Sequence, residues 1–191
     1  MGCPAAATFA IYPALHEVNV LALIPLLFGL ASTPPDIRVG EAARLFSLPA
    51  INEAAAREMV SSSHVSLTDI VEGADKSGKG VVLFFFTQTK GGKDLQELNK
   101  LHKRFSRSGI RFLGISMDQT DLGALSDWVQ SAEIEFPILR DNHRVVAERY
   151  SIKQLPMTVV IDATGHILSI GAPSGAQIGP EIEAELVPLL P

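Results

Sequence analysis

The sequence predicts an α/β three-layer sandwich in which a mixed sheet lies between helices. Three observations predict it. Val81 to Phe86 is an unbroken apolar run, the pattern of a strand covered on both faces within a parallel sheet. Downstream of it, segments of helical period alternate with short apolar runs. The last two runs, Met157 to Asp162 and Ile167 to Gly171, flank Ala163-Thr164-Gly165-His166 as an antiparallel hairpin would.

In chain order, Pro34-Pro35 blocks helix and reads as a linker, which separates a hydrophobic extension, 1–36, from a domain over 37–191. The domain opens with a hairpin region from Phe46 to Leu67. Its middle, Asn52 to Ser63, is an insertion in which Ala54-Ala55-Ala56 with Arg57, Glu58 and Met59 can make a helical turn before three serines end it. Glu72 to Gly80 is a loop by composition. Its Gly78-Lys79 is not a phosphate loop, because the glycine spacing is absent and no Ser or Thr follows the lysine. Val81 to Phe86 is then the central strand. Leu95, Leu98, Leu101, His102 and Phe105 recur at helical spacing with Lys100, Lys103, Arg104 and Arg107 on the other side, and Gly109 ends that helix. Arg111 to Ser116 is the next strand, Leu122 to Ala132 the next helix and Pro137 to Leu139 a short strand. A helix at Arg144 to Tyr150 precedes the hairpin, and a last helix, Glu181 to Leu190, closes the domain.

Composition narrows the function classes. The chain has 191 residues, 47% of them hydrophobic and 19% charged, which describes a globular chain with one domain and a short extension. A net charge of -5 argues against general affinity for nucleic acid or anionic membranes, both of which need a basic surface. The single cysteine, Cys3, excludes an internal disulfide framework, and His16, His64, His102, His143 and His166 are scattered, so no metal site and no cofactor is expected.

The extension points to the cell boundary. Val18 to Pro35 holds no charged side chain, and Val20 to Ala31 has the length of a signal-peptide core while being short for a membrane span. Gly29-Leu30-Ala31 suits cleavage at small residues, whereas no Lys or Arg precedes Arg38 to form a positive leader. The expectation is a periplasmic or otherwise extracytoplasmic protein, or one associated with a membrane through this segment. A cytoplasmic location stays open.

Val81 to Leu98, VVLFFFTQTKGGKDLQEL, resembles the strand, turn and helix that carry the redox centre of thioredoxin-like proteins. Further stretches resemble the same superfamily in the same order. Gly40, then Leu45 to Ala50 and Val65 to Asp69, resemble the opening hairpin of TlpA-type thioredoxins and peroxiredoxins. Ile115 to Asp118 resembles their second core strand, and Phe136 to Asp141 with Ala147 and Tyr150 resembles their F-P-x-L-x-D segment. Leu155 to Asp162 resembles the strand that opens with the family's cis-proline. The resemblance implies a thioredoxin-like three-layer sandwich, mixed central sheet flanked by helices, of the TlpA-type and AhpC/TSA (redoxin) branch.

It also implies a lost reaction. In such proteins the first cysteine of a Trp-Cys-x-x-Cys turn sits at a helix N-terminus, where unpaired N–H groups and the helix dipole favour the thiolate. Here the four positions read Lys90-Gly91-Gly92-Lys93, with Thr89 in place of the tryptophan. No catalytic residue is therefore assigned. Matched instead to the peroxiredoxin loop, Thr87, Gly91 and Asp94 stand for its proline, threonine and peroxidatic cysteine, and a carboxylate cannot replace that thiolate. Asp94 is then read as an acidic first-turn residue that complements the helix dipole.

Two candidate sites follow. The vestigial redox turn, Lys90, Gly91, Gly92 and Lys93, could hold an anion through charge and backbone N–H groups, although solvated turn residues left after loss of the active site explain it more simply. The second is a peptide groove at Leu155 and Pro156, where the resemblance places a backbone that pairs with an extended segment. The function this implies is a redox-inactive binding or scaffold module for a protein partner. The alternative is the family's thiol-disulfide oxidoreductase or peroxiredoxin-like activity, with a cysteine supplied from elsewhere.

Overall fold

The computed structural model describes residues 36–71, 78–172 and 174–190 of the chain. The extension, with Cys3 and His16, and residues 72–77 of the loop before the central strand lie outside the described residues. Asp36, at the start of the described chain, is ion-paired to Lys153 at 2.8 Å.

A five-stranded sheet in the order β5-β4-β3-β6-β7 forms the middle layer. Its centre is β3 (Gly80–Phe86), whose seven residues are all buried. It runs parallel to β4 (Ile110–Ser116) and antiparallel to β6 (Met157–Asp162). Period two in β3 then sorts the two cores. Val81, Leu83 and Phe85 face a cluster with Phe46, Ala147 and Tyr150, while Val82, Phe84 and Phe86 face one with α3 (Leu95–Phe105) and α6 (Ile178–Leu186). An alternating strand would leave one of these faces wet, so the unbroken run is what a sheet between two helical layers requires. At the edges, β5 (Ile138–Arg140) pairs parallel with the C-terminal end of β4, and β7 (Ile167–Gly171) forms the hairpin with β6, with a register shift near Val160 and Ile161.

The opening hairpin is a separate antiparallel pair, β1 (Ser47–Pro49) with β2 (His64–Ser66). The insertion inside it is more regular than its composition suggests. It folds into α1 (Glu53–Val60), eight residues that bury Ala56. Asn52, at the N-cap of α1, makes no capping bond to its own helix. Its amide instead donates to Ile134 O at 3.3 Å and Phe136 O at 2.9 Å and accepts from Ile138 N–H at 2.7 Å, which fixes the insertion to the chain entering β5.

Two further helices differ from expectation. Leu67–Val71 forms a short α2 where the sequence reads as the end of the hairpin. The last helix begins at Ile178, upstream of the expected Glu181, and ends at Leu186 before a 3-10 turn over Val187–Leu189. Gly179-Pro180 looks like a stop in sequence, but within a first helical turn the backbone N–H has no intrahelical acceptor, so proline there loses nothing. The intervening α4 (Leu122–Ser131) and α5 (Val145–Arg149) lie close to their expected bounds, and Asp121 caps α4 by accepting from Gly123 N–H and Ala124 N–H.

Candidate functional site

The turn after β3 is built by short-range bonds. Thr87 and Lys90 exchange backbone hydrogen bonds at 2.9 and 3.0 Å, and the Thr87 hydroxyl accepts a third bond from Lys90 N–H at 3.2 Å. The chain then passes through Gly91 at φ +91° into a 3-10 turn, Gly92–Asp94, which leads directly into α3. From the side, Gln88 N–H donates to Asp118 Oδ2 at 3.0 Å, and Ser116 Oγ donates to the same oxygen at 2.8 Å. Asp118, just past the end of β4, thus ties the turn to the neighbouring strand.

Gly91 is required by what surrounds it, and Gly92 is tightly packed. A Cβ on Gly91 would lie 2.8 Å from Pro156 Cβ and 3.1 Å from both Phe84 Cζ and Phe86 Cβ. One on Gly92 would lie 3.1 Å from Trp128 Cζ2. The turn is therefore pressed between the Pro156 loop on one side and the indole of α4 on the other. The Leu155–Pro156 peptide is cis, and Pro156 leads straight into β6, whose Met157 and Thr158 pair with Phe85 and Phe84. Gly91 and Pro156, read from the sequence as members of two candidate sites, lie directly against each other.

The lysines face outward. Lys90 and Lys93 are both exposed, and neither ammonium group has a partner among the described residues. An amine cannot form a disulfide, glycine carries no functional group, and no cysteine occurs among the described residues. No group of three or more His, Cys, Asp or Glu side chains able to hold a metal occurs among them either.

Two residues here have roles the sequence did not disclose. Asp94 lies in the first turn at the head of α3, as expected, but does more than complement the dipole. It is 8% exposed, makes no cap bond to its helix, and accepts from Gly175 N–H at 2.8 Å, joining the head of α3 to the segment before α6. Trp128 lies on a later helix, but its ring packs 6.2 Å from that of Phe86 and flanks Gly92. Behind the turn, burial raises the pKa of Tyr150, whose hydroxyl donates to Arg44 O at 2.8 Å, so this phenol is a structural donor. Burial also lowers the pKa of His102 on α3, which packs between Phe112 and Phe136.

A mixed sheet with this strand order, a tight turn at the head of α3 and a cis-proline against it fit a thioredoxin-like redoxin. The chain belongs to the AhpC/TSA family, whose sequence profile matches residues 39–170. Within it, the chain is 28% identical over 100 residues to the thiol-disulfide oxidoreductase ResA of Bacillus cereus, a match covering 51% of this chain and 57% of that protein. The chain thus spans little more than half the length of that relative. It is 24% identical to the soluble secreted antigen MPT53 of Mycobacterium tuberculosis over 173 residues, 90% of each chain. Among solved structures, a Chlorobium tepidum protein provisionally assigned as a thiol:disulfide interchange protein DsbE superposes with a TM-score of 0.68 at 19% identity, covering 82% of this chain and 100% of that one. At that identity the likeness is one of fold.

Proposed function

We propose that this chain is a redox-inactive thioredoxin-like domain that binds a protein partner. The observation that carries this reading is the turn: Lys90 and Lys93 stand where the family's two cysteines belong, while Gly91 still packs against a cis Pro156. The chemistry is gone and the surface beside it is kept. The partner lies along Leu155 and Pro156, where an extended segment pairs with the backbone next to the turn. Catalysis, a metal and a cofactor have no part in it.

The reading places the protein outside the cytoplasm or at a membrane. The uncharged stretch from Val18 to Pro35 supports this, as does the similarity to a secreted mycobacterial antigen over 90% of both chains. No helix among the described residues is long and apolar enough to cross a membrane.

The test has two arms. The full chain and its Cys3→Ser variant are assayed for reduction of a disulfide-bonded test protein and for thiol-dependent peroxide consumption. Neither should exceed a thiol-only control. In the second arm, proteins crosslinked to the chain in its native host are compared with those crosslinked to a Leu155→Asp variant, which should lose the partner. Turnover that survives Cys3→Ser would overturn the reading. The names of relatives such as ResA favour a second one, thiol-disulfide exchange with sulfur from outside the turn, and turnover abolished by Cys3→Ser would select it.

A further inference from the structure

A cleft of about 670 Å³ separates the inserted helix α1 from α3 and the 3-10 turn, Ser106–Ser108, that follows it. It stays open because two of the residues that α1 presents to it, Ala54 and Ala55, carry only a methyl group each. The head of that helix is fixed by the bonds of Asn52 to residues 134–138. Met59 and Ile134 supply apolar lining. The volume lies within the range of about 300–1,000 Å³ of clefts that hold small molecules.

The ion pairs of the two helices leave two charges over, and both border this cleft. On α1, Glu53 and Arg57 hold each other at 2.9 Å. On α3, Glu97 holds Lys100 at 2.7 Å, while Lys103 and Arg104 reach Glu135 and Glu183 at 2.8 and 2.7 Å. What remains is Glu58 on α1 and Arg107 in the turn after α3. Each lines the cleft, and neither has an ion-pair or hydrogen-bond partner among the described residues, the other included. The remaining ionisable groups of the lining add no free charge. Glu135 is held by Lys103, Arg111 is engaged within the chain, and burial that lowers the pKa of His102 keeps it neutral near pH 7. Two opposite charges that border one cleft without meeting leave a cation site and an anion site for a single molecule to bridge.

We propose that this cleft binds a small zwitterion with an apolar side chain, a free α-amino acid or a short peptide, independently of the partner assigned to the Pro156 surface. The ligand's carboxylate meets Arg107, whose planar guanidinium matches it with two parallel donors. Its ammonium, which offers donors only, meets the Glu58 carboxylate. Its side chain covers Met59 and Ile134 and takes their apolar surface out of water. A simple carboxylic acid would leave Glu58 unpaired, and a simple amine would leave Arg107 unpaired. Only a molecule with both charges uses both walls.

The experiment is a methyl NMR titration of the full chain with leucyl-leucine, with the N-acetylated dipeptide and the dipeptide amide as controls that each lack one charge. Saturable shifts are expected at Met59 and Ile134, and each blocked form should bind about tenfold more weakly, the worth of one charge-assisted hydrogen bond. Two variants assign the ends of the ligand. Arg107→Gln should weaken the free dipeptide about tenfold and leave the amide unchanged, and Glu58→Gln should weaken the free dipeptide equally and leave the acetylated form unchanged. Both side chains are exposed and unpaired, so these variants keep the fold. Free leucine separates the sources: binding at least as tight as the dipeptide assigns the cleft to amino acids, and weaker binding assigns it to peptides. Absence of saturable shifts at Met59 and Ile134, a blocked form that binds as tightly as the free dipeptide, or unchanged affinity for the free dipeptide in either variant would overturn the proposal.

Discussion

Gly91 and Pro156 meet so closely that a methyl group on the glycine would sit 2.8 Å from the proline Cβ. Two separate constraints therefore act on Gly91: the contact, and a backbone at φ +91°. Gly40 has only the second, with φ +87° and no atom within 4 Å of the place a Cβ would take. A left-handed alanine costs about 1–2 kcal/mol, and overpacking a tight contact costs about 1–3 kcal/mol more. Denaturant unfolding should accordingly show Gly91→Ala losing roughly 2–5 kcal/mol and Gly40→Ala roughly 1–2 kcal/mol. Equal losses would mean that the contact with Pro156 does not constrain the turn.

Asp94 links the head of α3 to the chain before α6 through Gly175 N–H. Asp94→Ala leaves that amide without its acceptor, at a cost of about 1–2 kcal/mol for a partly buried donor. Amide exchange at Gly175 and its neighbours should accelerate by more than exchange in β3. Unchanged protection at Gly175 would show that this bond does not hold the segment.

Asn52 carries three hydrogen bonds into the approach to β5. Removing them with Asn52→Ala should cost about 2–3 kcal/mol, because two carbonyls and one N–H lose their partner together. The effect should concentrate in α1 and β5, read as increased exchange at Ile138. A loss confined to α1 would show an ordinary capping residue instead.

How much of this was legible in the sequence depends on where each signal resides. The central strand could be read because its burial on both faces is written into Val81 to Phe86, and α3 because Leu95, Leu98, Leu101 and Phe105 keep a helical period. The turn could be recognised by its place between them. What remained hidden is carried by contacts between distant residues. Asp94 looks like any first-turn acid until Gly175 is found beside it, 81 positions downstream. Trp128 carries no mark that its ring flanks Gly92, and Asn52 looks like a capping residue although its bonds run to residues 134–138. The start of α6 at Ile178, ahead of the expected Glu181, was hidden because Gly179-Pro180 carries no helical signal although proline is harmless in a first helical turn.

His102 makes the stability of the domain depend on pH. Burial against Phe112 and Phe136 disfavours its charged form and lowers its pKa from the ordinary 6.5, while Glu135 and Glu58 pull weakly the other way. The unfolded chain thus takes up a proton near 6.5 that the folded chain resists. The contribution of this group to stability is complete above that value and is lost as pH falls through the lower folded pKa. Unfolding followed from pH 8 to pH 5 should show the parent losing stability through the acid side of neutrality. His102→Phe, which keeps an aromatic ring on Phe112 and Phe136 and cannot be protonated, should show a flatter profile over the same range. Parallel profiles for the two proteins would mean that His102 is charged as readily folded as unfolded, and that its neighbours do not exclude water from it.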